Sequence, residues 1–124
     1  MKAIFTGKAP AAIGPYSQAI QAGGFLFTSG QVALVPENGE VAGNTVEAQA
    51  EQACLNIQAI LEASGLTMKD VVKTTCFLAD MADFAAFNAV YEKYFVSKPA
   101  RSCVAVRELP QKLLCEIEVI AAKE

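Results

Sequence analysis

The chain contains two amphipathic helical segments set among short strand-like segments, and this combination most narrowly constrains its fold. The first helical segment is the clearer one, because its apolar residues recur at three-and-four spacing along a single face. These residues are Val46, Ala50, Ala53, Cys54, Ile57, Ile60 and Leu61. Asn44 or Thr45 is expected to cap its start, and Gly65 is expected to end it in a left-handed conformation.

The second helical segment begins at Asp80 or Met81 and ends before Pro99. Its apolar face consists of Phe84, Phe87, Val90, Tyr91, Tyr94 and Phe95. Each of the two amphipathic helices needs an apolar surface to cover, and the strands must supply that surface.

Strands are predicted where apolar residues occupy alternate positions or where β-branched residues cluster. The predicted strands span residues 2–6, 19–21, 25–29, 31–35, 71–78, 99–106 and 115–121. Ala22-Gly23-Gly24 predicts the turn of a β-hairpin between the second and the third of them. Gly30 interrupts a strand pattern, which indicates a bulge or a place where another group approaches the backbone closely.

The order of these elements predicts an α+β fold in one domain that spans residues 1–124. The strands are expected to form a single mixed β-sheet with both helices on one face. The other face then needs a cover of its own, so we expect a homo-oligomer that packs its sheets together.

Composition and charge argue against a nucleic-acid or a membrane partner. The chain carries 10 basic and 13 acidic side chains, a net charge of −3, and the basic residues are scattered. Nucleic-acid binding requires a positive surface, which this distribution does not provide. No apolar run approaches the roughly 18–20 residues that cross a bilayer, and the N-terminus does not look like a secretory signal. We therefore expect a cytoplasmic protein.

The four cysteines, Cys54, Cys76, Cys103 and Cys115, are widely separated, and the chain has no histidine. Neither a zinc site nor a Ser-His-Asp triad is expected from this set. Because no signal peptide is recognised, reduced thiols in the cytosol are favoured over disulfides.

Chemically useful side chains concentrate in the last two predicted strands. Arg101 and Cys103 begin one strand and Glu116 begins the other, so the three are expected to meet at one end of a sheet. An arginine can hold a carboxylate through two parallel hydrogen bonds, and a partly desolvated glutamate can exchange protons with water. The alternatives are a surface arginine paired with Glu116 or Glu118, a solvent-facing Glu116, and a cysteine that only fills the core.

Three residues near the N-terminus are further candidates. Tyr16 lies in a loop after Gly14-Pro15, where an aromatic side chain can line a site or plug the end of a core. Ser29 and Gly30 offer a hydroxyl group and a close approach to the backbone. The chain has no GxGxxG motif and no P-loop, so no nucleotide phosphate site is predicted.

Five motifs taken together resemble the reactive intermediate deaminase family (RidA, formerly YjgF). They are Ala12-Ile13-Gly14-Pro15-Tyr16-Ser17-Gln18, Thr28-Ser29-Gly30-Gln31, Asn88, Pro99-Ala100-Arg101-Ser102-Cys103-Val104 and Cys115-Glu116-Ile117-Glu118. The match covers residues 3–122 in the same order of motifs. The resemblance implies a chorismate-mutase-like fold, a homotrimer with clefts between adjacent subunits, and a reaction that uses no metal or organic cofactor.

The resemblance also implies an enzyme, a hydrolase acting on C–N bonds. Its substrates would be 2-imino and 2-enamino acids, namely 2-aminoacrylate with its tautomer 2-iminopropanoate, and 2-iminobutanoate, and its products 2-oxo acids and ammonia. By resemblance, Arg101 anchors the substrate carboxylate and Glu116 manages the attacking water, with Arg101 and Tyr16 supplied by neighbouring chains. The remaining substrate-binding residues implied by resemblance are Ser29, Gly30, Asn88 and Cys103.

Two other functions remain open at this point. One is a non-catalytic trimeric module that binds small carboxylates or acts like a chaperone, because a fold does not determine a function. The other is a ribonuclease activity that has been attached to some relatives. The negative charge and the absence of histidine argue against the second.

Overall fold

The structure, a computed structural model, describes residues 1–123. It contains one mixed sheet and two α-helices, as the sequence predicts, but the sheet has six strands rather than the seven predicted. The strands are β1 Lys2–Ile4, β2 Ala19–Ala22, β3 Phe25–Thr28, β4 Val71–Leu78, β5 Ala100–Ala105 and β6 Cys115–Ala122. The helices are α1 Val46–Ala63 and α2 Phe84–Tyr94.

The strand order across the sheet is β1-β2-β3-β6-β4-β5, with β5 at one edge. Strands β4 and β5 run parallel, whereas the other neighbouring pairs are antiparallel. The two C-terminal strands are therefore not neighbours, because β4 lies between them. The predicted β2–β3 hairpin is confirmed, and its turn glycines Gly23 and Gly24 have φ of +58° and +82°.

The expectation that Arg101, Cys103 and Glu116 meet at one end of the sheet is wrong. Arg101 pairs with Thr74 of β4, whereas Glu116 pairs with Phe77 of the same strand. These two β4 positions are an odd number of residues apart, and side chains alternate between the faces of a sheet. Arg101 and Cys103 consequently lie on one face, and Glu116 lies on the other.

Helix α1 begins and ends as its sequence predicts. Thr45 is the N-terminal cap, and its Oγ1 accepts a hydrogen bond of 3.2 Å from the amide of Ala48. At the other end Gly65 has φ of +76°, which lets the amide of Leu66 donate to the carbonyl of Leu61 at 2.9 Å. Within residues 1–123, no helix combines the length and the hydropathy that crossing a bilayer requires.

One face of the sheet packs with both helices in a single apolar core. The sheet and both helices contribute fully buried side chains to this core. They are Leu26, Leu78 and Ile117 from the sheet, Ile57, Ile60 and Leu61 from α1, and Phe87 from α2. Burying each such side chain stabilises the fold by about 1.5–3 kcal/mol before entropy is counted. This core holds the helices over the face that carries Arg101.

The opposite face of the sheet is open in the single chain and carries several exposed apolar side chains. Phe25, Phe27 and Val104 are 45%, 44% and 47% exposed, and the two phenylalanine rings lie 6.2 Å apart. An exposed apolar surface of this kind marks an interaction site in most proteins. The face also carries Glu116.

Residues 31–35 were expected to continue a strand, and this expectation is wrong. The segment makes only isolated bridges, from Gln31 to Ile117 and from Leu34 to Val41. The buried side chain of Asn56 explains the difference, since its Nδ2 donates to the carbonyls of Val32 and Leu34 at 3.1 and 3.0 Å. A helix side chain thus satisfies carbonyl groups that a neighbouring strand would otherwise pair.

Asn56→Ala should lower the free energy of unfolding by roughly 2–4 kcal/mol, because it leaves two buried carbonyl groups without donors. Denaturant unfolding measures the change, and hydrogen exchange should report faster opening around Ala33, whose carbonyl accepts from Ala42 in the same loop. The matched control is Gln58→Ala on the same helix, where the side chain is only partly buried. Equal losses in the two variants would contradict the role given to Asn56.

Candidate active site

Arg101 is held by three side chains of α2. Its Nη1 donates a hydrogen bond of 2.6 Å to Oδ1 of Asn88. Its Cζ lies 4.6 Å from the ring centroid of Tyr91 and 5.4 Å from that of Phe84. Residues 84, 88 and 91 share one face of a helix, since they are four and three positions apart. Asn88 occupies one of five N–H groups, so the guanidinium retains donors for a carboxylate.

A groove of about 620 Å³ opens beside this guanidinium. It is lined by Asn88, Tyr91, Glu92, Phe95, Val96, Lys98, Pro99 and Arg101. Lys98, with φ of +51°, belongs to the turn that brings the chain from α2 back into β5. The groove places two cations and one carboxylate around a partly aromatic wall, which suits a small anionic molecule.

Cys103 lies two residues beyond Arg101 on the same face and is half-buried. Burial raises the pKa of its thiol, and Arg101 offsets this only in part. The thiol is therefore poorly suited to act as a nucleophile. The other three cysteines are buried in the core, as predicted, and burial raises the pKa of Cys76 and of Cys115 to about 12.

On the other face of the sheet, Glu116 lies against the backbone of Gly30. A Cβ at residue 30 would stand 2.7 Å from Cδ and 3.0 Å from Cγ of the glutamate, so any side chain there would displace the carboxylate. Backbone hydrogen bonds of 2.7 and 3.0 Å between Gln31 and Ile117 fix the two segments side by side. Burial, and secondly the nearby Glu118, raise the pKa of Glu116 above its ordinary value.

Tyr16 and Ser29 lie close to Gly30. Tyr16 is 56% exposed and lines, together with Gly30, a depression of about 80 Å³. The hydroxyl group of Ser29 donates to the carbonyl of Ser17 at 2.6 Å, which holds the tyrosine loop against β3. Its proton is thereby engaged, so toward a ligand Ser29 Oγ is placed to accept a hydrogen bond.

The candidate residues thus form two groups. The arginine group is Arg101, Asn88 and Cys103, and the glutamate group is Tyr16, Ser29, Gly30 and Glu116. Each group is compact, but the two lie on opposite faces of the sheet within one chain. Among residues 1–123, no cluster of three or more His, Cys, Asp or Glu side chains is arranged to hold a metal ion.

Sequence reasoning missed three residues that shape these groups. Tyr91 and Phe84 were assigned only to the apolar face of α2, although their spacing from Asn88 places them beside it. Gln18 is 2% exposed, and its amide binds the backbone of Thr6, Ala9 and Pro10. A buried glutamine directly after Tyr16-Ser17 orders the loop that presents the tyrosine.

Comparison with known proteins relates the whole chain to one family. The profile of the endoribonuclease L-PSP family matches residues 6–123. A RutC family protein of Pyrococcus horikoshii is 53% identical over 122 residues, which cover 98% of this chain and 97% of that protein. The 2-iminobutanoate/2-iminopropanoate deaminase of Escherichia coli K12 is 49% identical over 126 residues and 98% of both chains.

Solved structures give the same result. E. coli TdcF with bound serine matches with a TM-score of 0.95 and 42% identity over 100% of both chains. The YjgF gene product of E. coli matches with a TM-score of 0.95 and 48% identity, again over 100% of both chains. Because sequence profile, curated relatives and structures all cover nearly the full chain, the protein belongs to the endoribonuclease L-PSP (YjgF/RidA) family.

Proposed function

We propose that the protein is a cofactor-independent imine deaminase that converts 2-imino and 2-enamino acids into 2-oxo acids and ammonia. The substrates are the small ones, 2-aminoacrylate with its tautomer 2-iminopropanoate, and 2-iminobutanoate. The observation that carries this proposal is the guanidinium of Arg101, fixed by Asn88 with donors directed to a groove. A full-length relative from E. coli that bears the name of this activity supports it.

Arg101 would bind the substrate carboxylate through paired hydrogen bonds. Every proposed substrate carries a carboxylate next to the C=N bond, so one bidentate contact sets both the position and the orientation of the reacting carbon. Orientation of this kind is the larger part of what such a reaction requires from an enzyme. TdcF, a relative of similar fold, was crystallised with serine, which also carries a carboxylate.

Glu116 would transfer protons between the attacking water and the substrate, as a general base and then as a general acid. Its carboxylate takes a proton from water as the oxygen adds to the imine carbon, and passes this proton to the nitrogen, giving a carbinolamine. It then takes the proton of the new hydroxyl group and delivers it to the nitrogen as well, so that the C=O bond of the 2-oxo acid forms while the C–N bond breaks and ammonia leaves with its electron pair. A raised pKa suits a group that both accepts and donates a proton near neutral pH.

The two groups of residues can act on one small substrate only if different chains supply them. In a single chain the arginine group and the glutamate group are separated by the sheet. We propose a homotrimer in which the glutamate group of one subunit faces the arginine group of the next. The open apolar face with Phe25, Phe27 and Val104, and the unpaired edge of β5, provide the surface for such an assembly.

Arg101→Ala should abolish the acceleration of 2-oxo acid release in an assay that generates 2-aminoacrylate, because the carboxylate loses its anchor. Pyruvate formation, followed by a coupled lactate dehydrogenase reaction, measures the rate. The matched control is Arg107→Ala, which removes an exposed arginine downstream of the same strand and should leave the rate unchanged.

A carboxylate-binding module would bind pyruvate without accelerating its formation, in wild type and control alike. Ribonuclease activity that persists through extensive purification and disappears in Glu116→Ala would favour the other activity attached to the family. Carboxylate binding without acceleration would falsify the deaminase proposal.

Glu116→Gln should reduce the deaminase rate strongly and yet raise the melting temperature at about pH 7. Burial raises the pKa of Glu116 in the folded chain, so the ionised carboxylate destabilises the fold at every pH above that raised pKa. The destabilisation disappears once the pH falls below the pKa of Glu116 in the unfolded chain, which is about 4. The gain in melting temperature of Glu116→Gln over the wild type should therefore vanish at about pH 4. Thermal scans against pH test this, with the exposed Glu108→Gln as control; a pH-independent gain would contradict it.

Mixing the inactive variants Arg101→Ala and Glu116→Gln should restore activity. If the two groups come from neighbouring chains, random reassembly of equal amounts gives roughly one intact cleft in four. The variants are unfolded together and refolded, and the rate is compared with that of each variant refolded alone. No recovery, in assemblies whose mass matches a mixed trimer, would show that one chain supplies both groups.

A further inference from the structure

A buried hydroxyl pair lies beneath Arg101. Thr74 is 0% exposed and is the direct neighbour of Arg101 across the β4–β5 ladder. Its Oγ1 shares a hydrogen bond of 2.7 Å with Oη of Tyr91. The other inward-facing positions of this strand, such as Val71, Cys76 and Leu78, carry apolar side chains or a thiol. A buried hydroxyl group without a hydrogen-bond partner destabilises the fold, so the hydrogen bond between Thr74 and Tyr91 is favoured strongly over its broken form.

The hydroxyl pair immobilises the ring of Tyr91. Thr74 holds the phenol oxygen, and Phe95 stacks on the ring with 4.3 Å between centroids and 23° between planes. Tyr91 is 7% and Phe95 is 3% exposed, so the aromatic pair has little freedom to move. The guanidinium of Arg101, 4.6 Å from the centroid of Tyr91, therefore rests on a fixed aromatic surface.

Asn88 and Tyr91 constrain Arg101 in complementary ways. The hydrogen bond from Nη1 to Asn88 fixes one end of the fork, whereas contact with an aromatic ring fixes its plane. A free arginine side chain has many rotamers and would lose them on binding a ligand. An arginine that is already oriented loses less, and its affinity for a carboxylate rises accordingly.

We propose that Tyr91 and Thr74 are positioning residues, which orient the guanidinium of Arg101 toward the carboxylate of the substrate without contacting the substrate's reacting atoms. This inference rests on the proposed function of Arg101. It assigns the recognition of 2-imino acids to a four-residue unit on β4, β5 and α2. Burial also raises the pKa of Tyr91, which keeps the phenol protonated and the ring uncharged under the cation.

The test compares variants that remove the hydrogen bond with one that removes the ring. Tyr91→Phe and Thr74→Val each delete one hydroxyl group and keep the shape, whereas Tyr91→Leu deletes the aromatic surface. Leu26→Ala is the control, because it removes a fully buried apolar side chain from β3, which β6 and β4 separate from β5. Calorimetry with 2-oxobutanoate measures carboxylate affinity, and steady-state kinetics on 2-iminobutanoate separate KM from kcat.

Tyr91→Leu should weaken 2-oxobutanoate binding and raise KM by about tenfold, with kcat changed far less, since a desolvated cation–π contact is lost. The two hydroxyl deletions should each raise KM by about threefold, and the double variant should be no worse than either, because they break one bond. Leu26→Ala should lower the melting temperature and leave KM and the affinity unchanged.

Unchanged affinity and KM in Tyr91→Leu, or an equal rise of KM in Leu26→Ala, would overturn the inference. The proposed function would stand if Arg101→Ala still abolishes activity. If Tyr91→Leu does not fold, Tyr91→Phe and Thr74→Val provide the test, and unchanged affinity and KM in both would overturn the inference. The proposed function itself fails when the wild type does not accelerate 2-oxo acid release, or when Arg101→Ala retains full activity, so the two failures are distinguishable.

Discussion

The pairing of β4 with both C-terminal strands is the constraint on which the site depends. Because β4 lies between β5 and β6, each of its residues from 73 to 78 is paired with one residue on either side. Arg101 is paired with Thr74 and lies on the helix-covered face, whereas Glu116 is paired with Phe77 and lies on the open face. A cation and a carboxylate that are close in sequence are thereby directed to opposite sides of one sheet.

Local signals made a large part of the fold predictable. Helix α1 follows from its apolar spacing, its Thr45 cap and Gly65, and β4 follows from its β-branched residues, so both have the predicted extents to within two residues. Strand order was not predictable in the same way, because nothing local in Arg101 or Glu116 records that β4 separates them. The prediction of a strand at residues 31–35 was wrong for a related reason, because Asn56, more than twenty positions away, donates hydrogen bonds to the carbonyl groups of this segment.

The two groups of candidate residues use different physical means to prepare a charged side chain. Arg101 keeps its charge beside aromatic rings and an amide oxygen, contacts that a guanidinium tolerates well because it is weakly hydrated. Glu116 is half-buried against a glycine, which favours its protonated form. The contact of Tyr91 with Arg101 could not be recognised from periodicity, because a core aromatic and a support for an arginine have the same spacing on a helix.

The close fit between Gly30 and Glu116 limits how the site can change over time. Any side chain at position 30 would displace the carboxylate of Glu116, so a substitution there changes the position of the catalytic candidate itself, and the Gln31–Ile117 pairing keeps the backbone from moving aside. The groove wall near Val96 and Lys98 carries no such restriction. Divergence toward larger or differently charged substrates, natural or by directed evolution, should therefore accumulate on the arginine side of the cleft.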